Sequence, residues 1–363
     1  VTLLGSFLAI FLDQIHKINF QKKLAELTMI QLIHFNKTHA PKVDVPSPSA
    51  PQELLDALSS KLSLNIGDIK PLFSYNQAAD SAQKFLIRDT KGENRAVVHY
   101  STTYDPLAVQ DMICRVYSAR QAIGSDLEAY ILNPLEQGDL EGLSYGVFNY
   151  QKPLAKNKIF WLFQRVAIAP HLLEFLIDLV KVTKASMSSE QIEERFGRSL
   201  QSISTFDGLS GSIQTAAKES LQRLEQHLWT PRTVLMHGDL WRGNVLLTQP
   251  TAKVSSEAEP STSASNKSTS NKIVLIDWAA SLVHGYAIFD LVRMAESFGL
   301  SPKQLRKNLE IHCQILGCDV QDSKSYLLSA MGHIGRDLRH FPVANFLRMC
   351  ESTVTTLDKA LGL

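Results

Sequence analysis

A chain of 363 residues is long enough to bury a sizeable core and to form one two-lobed unit. Its 37 basic and 36 acidic residues leave a net charge of +1, which excludes the electrostatic footprint of a binder of nucleic acid or of an acidic polymer. Four scattered cysteines (Cys114, Cys313, Cys318 and Cys350) have no second pair or histidine fork at zinc spacing, and they read as reduced thiols of a cytoplasmic protein.

Residues 1–36 carry apolar positions at helical spacing, through Phe20, Leu24, Leu27 and Ile30. The apolar start, Val1 to Leu12, has no basic flank and is cut short by Asp13. It reads as an amphipathic helix packing on the body, with neither a signal peptide nor membrane contact expected. The segment 40–51, with Pro41, Pro46, Pro48 and Pro51, is a linker, and Gln52-Glu53-Leu54-Leu55 opens a helix. Residues 1–66 are thus set apart as a helical extension.

From Asp68 the pattern becomes strand-like. Ile69–Ser74 and Lys84–Arg88 bracket a polar loop, Lys91-Gly92-Glu93-Asn94 is a turn, and Arg95–Tyr100 is a third strand. A helix over about Leu107–Ile123 follows, then strands at Glu128–Leu132 and Ser144–Tyr150. The rest is mainly helical: about 171–186, 189–201, 210–228, 301–316, 322–338 and 343–361. Short apolar strands at Val234-Leu235-Met236, Val245-Leu246-Leu247 and Ile273–Ile276 interrupt the helices. A Ser/Thr-rich insertion at 249–271 lies between the last two; its low hydrophobicity predicts a disordered hairpin loop.

The chemistry concentrates in His237-Gly238-Asp239-Leu240-Trp241-Arg242-Gly243-Asn244, followed one strand later by Asp277. Phosphoryl transfer from a nucleotide asks for such a set: one carboxylate near the attacking hydroxyl, and an amide with a second carboxylate to hold a metal on the phosphates. The motif resembles that of the aminoglycoside phosphotransferase and choline kinase group of small-molecule kinases, and is especially close to the fructosamine-kinase-like form. The resemblance implies an α+β, protein-kinase-like fold with a small antiparallel-sheet N-lobe at 67–150 and a mainly helical C-lobe at 151–363. It implies ATP and Mg²⁺ as nucleotide and metal, Asp239 as catalytic base, Asn244 and Asp277 as magnesium ligands, and His237 as the brace of the loop. Asn149-Tyr150-Gln151 becomes the hinge that meets adenine. In Gly285-Tyr286-Ala287-Ile288-Phe289-Asp290-Leu291, Asp290 resembles the family's helix-capping aspartate, which steadies the loop from below.

The N-lobe departs from that pattern. The loop Ser74–Ala82, where a phosphate-cradling glycine is expected, has none. Alignment on the third strand puts His99 where the phosphate lysine belongs; it either takes that place or points out from the sheet, and Lys84 on the neighbouring strand is the alternative. Asp111 is the best substitute for the missing helix glutamate, against a plain solvent-facing aspartate. Arg242 either meets the γ-phosphate or an anionic substrate, or packs on Trp241 and stays solvated. Trp241 and Trp278 read as packing aromatics. Basic candidates for the acceptor site are His284, Arg293, His333, Arg336 and His340; the His/Arg-rich run 323–343 favours a neutral or anionic hydroxylated acceptor. Two functions follow: an ATP-dependent kinase of a small hydroxylated metabolite, or a kinase-like regulatory protein with little transfer. A homodimer is left open, and no nucleic-acid partner is expected.

Overall fold

Alternation along the N-lobe strands decides what faces what. The computed structural model describes residues 52–62, 65–72, 82–248, 273–339 and 341–363. The chain divides into Val1–Ser47 and Pro48–Leu363, and everything described belongs to the second unit. The readings for 1–36, 40–51, most of the loop at 74–82 and the insertion at 249–271 therefore lie outside the described residues.

Helix α1 (Gln52–Lys61) precedes β1 (Ile66–Pro71), β2 (Ala82–Asp89) and β3 (Asn94–Ser101). Helix α2 (Ala108–Ile123) follows, then β4 (Pro134–Leu140) and β5 (Leu143–Asn149). These strands form one antiparallel sheet in the order β1-β2-β3-β5-β4. Phe85, Ile87, Ala96, Val98, Tyr145 and Val147 share one face and are covered by Leu54 and Leu58 of α1. Each of those leucines is fully buried, worth about 1.5–3 kcal/mol apiece. Helix α1 is thus part of the N-lobe core, which begins before residue 67.

With a side-chain period of two, Lys84, Val97, His99 and Phe148 fall on the opposite face. Helix α2 packs on that side through Val109, Met112 and Ile113. It comes so close at Gly146 that a Cβ there would stand 2.6 Å from Ile113 Cδ1. The fourth strand differs from expectation: Glu128–Tyr130 is a 3₁₀ turn, and the strand is Pro134–Leu140. A proline at a strand's first residue costs no interior ladder bond, which is why Pro134 opens the strand rather than excluding it.

After a two-residue strand β6 (Lys152–Pro153) the chain enters α3 (Lys158–Thr183), α4 (Ser189–Ile192), α5 (Arg198–Ser204) and α6 (Gly211–Glu225). Helix α3 starts thirteen residues before the expected 171, capped by the Asn157 side chain, and it passes through Pro170. Burial of Ile168, Leu172, Phe175 and Leu176 on either side of Pro170 outweighs the helix bond that proline removes. The expected helix 189–201 is broken by a π turn at Glu193–Gly197.

Next come β7 (Thr233–Met236), β8 (Val245–Leu247), β9 (Ile273–Leu275) and β10 (Leu282–Tyr286). The chain ends with α7 (Phe289–Phe298), α8 (Pro302–Leu316), α9 (Asp322–Gly335) and α10 (Val343–Leu361). β7 pairs with β10, and β8 with both β6 and β9. Helices α5 and α9 touch backbone to backbone: a Cβ on Gly332 would lie 1.8 Å from Ser199 O. The expected two-lobed α+β architecture is the one observed. No described helix is long and apolar enough to cross a membrane.

Candidate active site

The loop His237–Asn244 hangs between the fully buried β7 and β8, of which Val245 is buried. All four residues of β7 are buried, so the chain leaves the C-lobe core directly into His237. Gly238 turns it with φ +83°, and a Cβ there would meet Ala280 O at 2.4 Å; only glycine fits. Leu240 is buried as the loop's anchor, and a 3₁₀ turn at Arg242–Asn244 leads into β8. On the facing side β9 runs into Asp277, which takes a left-handed conformation at φ 66° before the 3₁₀ turn Trp278–Ala280.

His237 is 1 % exposed and its ring lies 4.5 Å from that of Trp278. Burial drives its pKa down to about 4, so the ring is neutral. The Asp239 N–H reaches Nδ1 at 3.3 Å, which puts the proton on Nε2; that nitrogen donates to Ile276 O at 3.0 Å. His237 therefore ties the loop to the residue before Asp277. Asp290, in the first turn of α7, accepts from the backbone N–H groups of His237 (2.6 Å) and Gly238 (3.0 Å). It makes no helix cap, contrary to expectation. Burial, opposed by those two N–H groups, pushes its carboxyl up to about 7.

Asn244 donates from Nδ2 to Asp239 Oδ2 and to Asp239 O, both at 2.9 Å. Asp239 is pushed up to about 6, first by burial and then by the charge of Asp277; Arg293, the Asn244 amide and the Trp241 indole pull the other way. Lys84 donates to Asp277 Oδ2 at 3.1 Å. Burial alone would raise the Asp277 carboxyl, but Lys84, His99 and His237 together outweigh it and hold the group below its ordinary range.

These side chains line one cleft of about 580 Å³. Leu72, Val97, Leu132 and Phe148 form its apolar roof, Asn149-Tyr150-Gln151 one edge, and Leu246 and Ile276 its floor. Asp239, Asn244, Asp277 and Lys84 gather at the polar end. The Tyr150 N–H is already given to Arg95 O at 2.9 Å.

His99 also lines the cleft, but the cation paired with Asp277 is Lys84. The two are direct partners across β2 and β3. His99 is 8 % exposed and its ring packs at a tilt of 55° against that of Phe148, with centroids 5.2 Å apart. Burial, and then the Lys84 charge, depress its pKa to about 3, so it is a neutral wall residue. Strand register decides between the two candidates, and register is what sequence left open. Asp111 lies on the exposed face of α2 and does not line the cleft; Met112 and Val116 do. Arg242 lines the cleft mouth with its guanidinium 5.4 Å over Trp161 of α3, not on Trp241. Trp241 is 42 % exposed and covers Gly243, whose Cβ would meet its ring at 2.4 Å. Trp278 is core, at 1 % exposure.

Of the basic residues considered for an acceptor, only Arg293 acts on Asp239, and it is paired with Glu296 at 3.0 Å. His284, His333 and Arg336 do not line this cleft, and His340 lies outside the described residues. The inference of an anionic acceptor from that run loses its basis.

Asn244 and Asp277 offer hard oxygen ligands, an amide and a carboxylate, on two adjacent strand ends. The described residues hold no group of three His, Cys, Asp or Glu able to cage a metal alone. Two protein oxygens suit magnesium carried on phosphates, which keeps waters and phosphate oxygens as its other ligands.

No family model matches the chain, and no curated protein matches it. Solved structures do. The crystal structure of aminoglycoside phosphotransferase APH(4)-Ia is 14 % identical, with 85 % of this chain and 98 % of that chain covered and a TM-score of 0.52. The ternary complex of a thermostable mutant of that enzyme with ADP and hygromycin B is 12 % identical, with 87 % and 100 % covered and a TM-score of 0.52. A further mutant ternary complex, with AMP-PNP and hygromycin B, is 12 % identical, with 86 % and 100 % covered and a TM-score of 0.51. At such identity the likeness is one of fold: the chain has the two-lobed, protein-kinase-like fold seen in the aminoglycoside phosphotransferases.

Proposed function

We propose that this protein transfers the γ-phosphoryl group of ATP to a hydroxyl group of a small metabolite. The observation that carries the reading is the convergence of Asp239, Asn244, Asp277 and Lys84 at the polar end of one cleft whose other end is apolar and hinge-lined. Nucleotide complexes on the same fold support it. The alternative of a kinase-like protein without transfer rests on the glycine-free loop, most of which lies outside the described residues, and on a missing phosphate lysine, for which Lys84 beside Asp277 offers a substitute.

Adenine fits the apolar roof and hinge, which leaves the triphosphate pointing at Lys84 and Asp277. The Lys84 ammonium is a compact point charge suited to phosphate oxygens. Asn244 and Asp277 would hold magnesium, which when bound offsets negative charge on the phosphates. Asp239 accepts the proton of the acceptor hydroxyl as the new O–P bond forms and the bond to the ADP oxygen breaks. A carboxyl near pH 6 is ionised at neutral pH yet more basic than an ordinary aspartate. Asn244 fixes one of its oxygens, and His237 and Asp290 hold the loop from behind. The four free thiols accord with a cytoplasmic, ATP-rich setting.

Calorimetry of Mg·ATP on the wild type and on Asp277→Ala, with and without magnesium, tests the reading. Metal-dependent binding, lost in the variant, is expected; a screen of hydroxylated metabolites then follows. Absence of binding to the wild type would overturn it.

A further inference from the structure

A second cluster of charge lies away from the cleft, around β10. Arg115 of α2 donates from Nη1 to Ser281 O at 2.7 Å. Arg195, from the π turn after α4, donates from Nη1 to His284 O at 3.0 Å. Arg336, at the end of α9, donates from Nη2 to His333 Nδ1 at 3.1 Å. The His333 ring packs against Tyr286 at 5.6 Å between centroids, and the Tyr286 hydroxyl is 3.1 Å from Arg195 O. The four side chains thus come together from three separated parts of the sequence.

We propose that Arg115, Arg195, Arg336 and His333 form a binding site for a phosphate group, separate from the nucleotide cleft. None of the three arginines has an ion-pair partner among the described residues. Glu194, next to Arg195, is taken by Arg198 at 2.7 Å, and Asp337, next to Arg336, by Arg339 at 2.6 Å. Asp111, one turn before Arg115, is exposed and forms no bridge to it. Natural surfaces intersperse charges of both signs, and three unpaired guanidiniums in one patch favour an anion of more than one charge.

The donor pattern points to phosphate rather than to a single carboxylate. Because Arg336 donates to Nδ1, His333 accepts there and carries its proton on Nε2, so the histidine adds a further N–H. Burial and the charges of Arg336, Arg195 and Arg115 keep that ring neutral, with a pKa near 4. The guanidinium N–H groups not used on Ser281 O, His284 O and His333 Nδ1 join His333 Nε2–H as donors, and planar guanidinium forks match the oxygens of a phosphate. Arg115 and Arg336 are exposed, with Arg195 and His333 half-buried, so a ligand has access.

Position gives the site a purpose. Met112 and Val116 of α2 form part of the cleft wall, and Arg115 lies on the same helix between them. No carboxylate of α2 reaches Lys84, whose partner is Asp277, so α2 lacks the usual ionic tie to the sheet. Arg115 already ties α2 to the C-lobe through Ser281 O, and a phosphate bridging it to Arg195 and Arg336 adds an ionic tie.

The test is calorimetry on nucleotide-free full-length protein, with inorganic phosphate and with glucose 6-phosphate, at ionic strength matched by potassium chloride. It does not depend on phosphotransfer. Saturable binding is expected, unchanged in Lys84→Met, and weakened about tenfold or more in Arg336→Gln and in Arg195→Gln, as the loss of one charge-assisted contact predicts. Arg336→Lys, which keeps the charge and loses the fork, should fall between. Tighter binding of glucose 6-phosphate would mark a phosphorylated metabolite as the source, and equal binding free phosphate. Absence of saturable binding would overturn the proposal. So would binding lost in Lys84→Met and kept in the arginine variants, because the anion would then belong to the cleft. Far-UV circular dichroism of each variant separates loss of binding from loss of fold.

Discussion

Asp239 and Lys84 carry the sharpest consequences of single side chains. Asp239→Asn should cut turnover by about 10²–10⁴-fold, the usual worth of a positioned general base. The same change should stabilise the fold at neutral pH. The native carboxyl titrates at about 6 against an ordinary 3.8, so between those values the folded protein binds more protons than the unfolded chain. Stability contributed by this group therefore falls as pH rises from about 4 through 6. Removing the charge relieves a cost of about 1–3 kcal/mol at pH 7, an advantage that fades as pH drops towards 4. Urea unfolding of both proteins at pH 7 and pH 4.5 checks this; an equal difference at both pH values would contradict it. Activity, in turn, should fall as pH drops through about 6. Lys84→Met should weaken Mg·ATP binding about tenfold or more, the worth of a charge-assisted contact, whereas His99→Leu should leave it nearly unchanged. The reverse ranking would return the phosphate contact to β3. The His-Gly-Asp loop was legible because its parts are contiguous and its geometry is local. Sequence leaves Lys84 and His99 as alternatives because β2 and β3 both offer a polar side chain, and only the fold shows which one meets Asp277.

Among the elements, the α5–α9 contact and the β8–β9 hairpin make opposite predictions. Gly332→Ala would set a methyl 1.8 Å from Ser199 O, between two buried helices. Neither backbone can yield without opening the core, so a loss of about 2–4 kcal/mol is expected in denaturant unfolding. Replacing residues 249–271 by a four-residue turn should instead be neutral or stabilising by about 1 kcal/mol, because Leu247 and Ile273 are already paired and a shorter loop costs less to close. A fall in melting temperature on that deletion would show that the segment contributes contacts of its own. The pairing of β8 with β9 could be expected from two apolar runs around a polar insertion. Helix α3 could not be delimited, because Pro170 reads locally as a break and only burial of its neighbours overrides it.

At the scale of the molecule, the cleft draws its walls from both lobes: β2, β3, α2 and β5 above, and the catalytic loop, β8 and Asp277 below. A ligand bound there stabilises both lobes together. Mg·ATP at a hundredfold its dissociation constant should add about 2.7 kcal/mol to stability, read as one rise in a single melting transition. Two transitions, only one of which responds, would mean that the lobes unfold separately. A net charge of +1 adds no long-range attraction for a highly charged nucleotide, so association should depend only weakly on salt outside the local contacts of Lys84.

By itself the sequence determined the α+β lobe order, the loop His237–Asn244 between its strands and the place of Asp277 after its strand, because each depends on short-range spacing and on the alternation of apolar residues. Tertiary structure alone decided the exposure of Asp111, the pairing of Lys84 rather than His99 with Asp277 and the gathering of Arg115, Arg195 and Arg336 around His333. Those outcomes depend on register and on which helix faces meet, and neither leaves a periodic trace in a single chain.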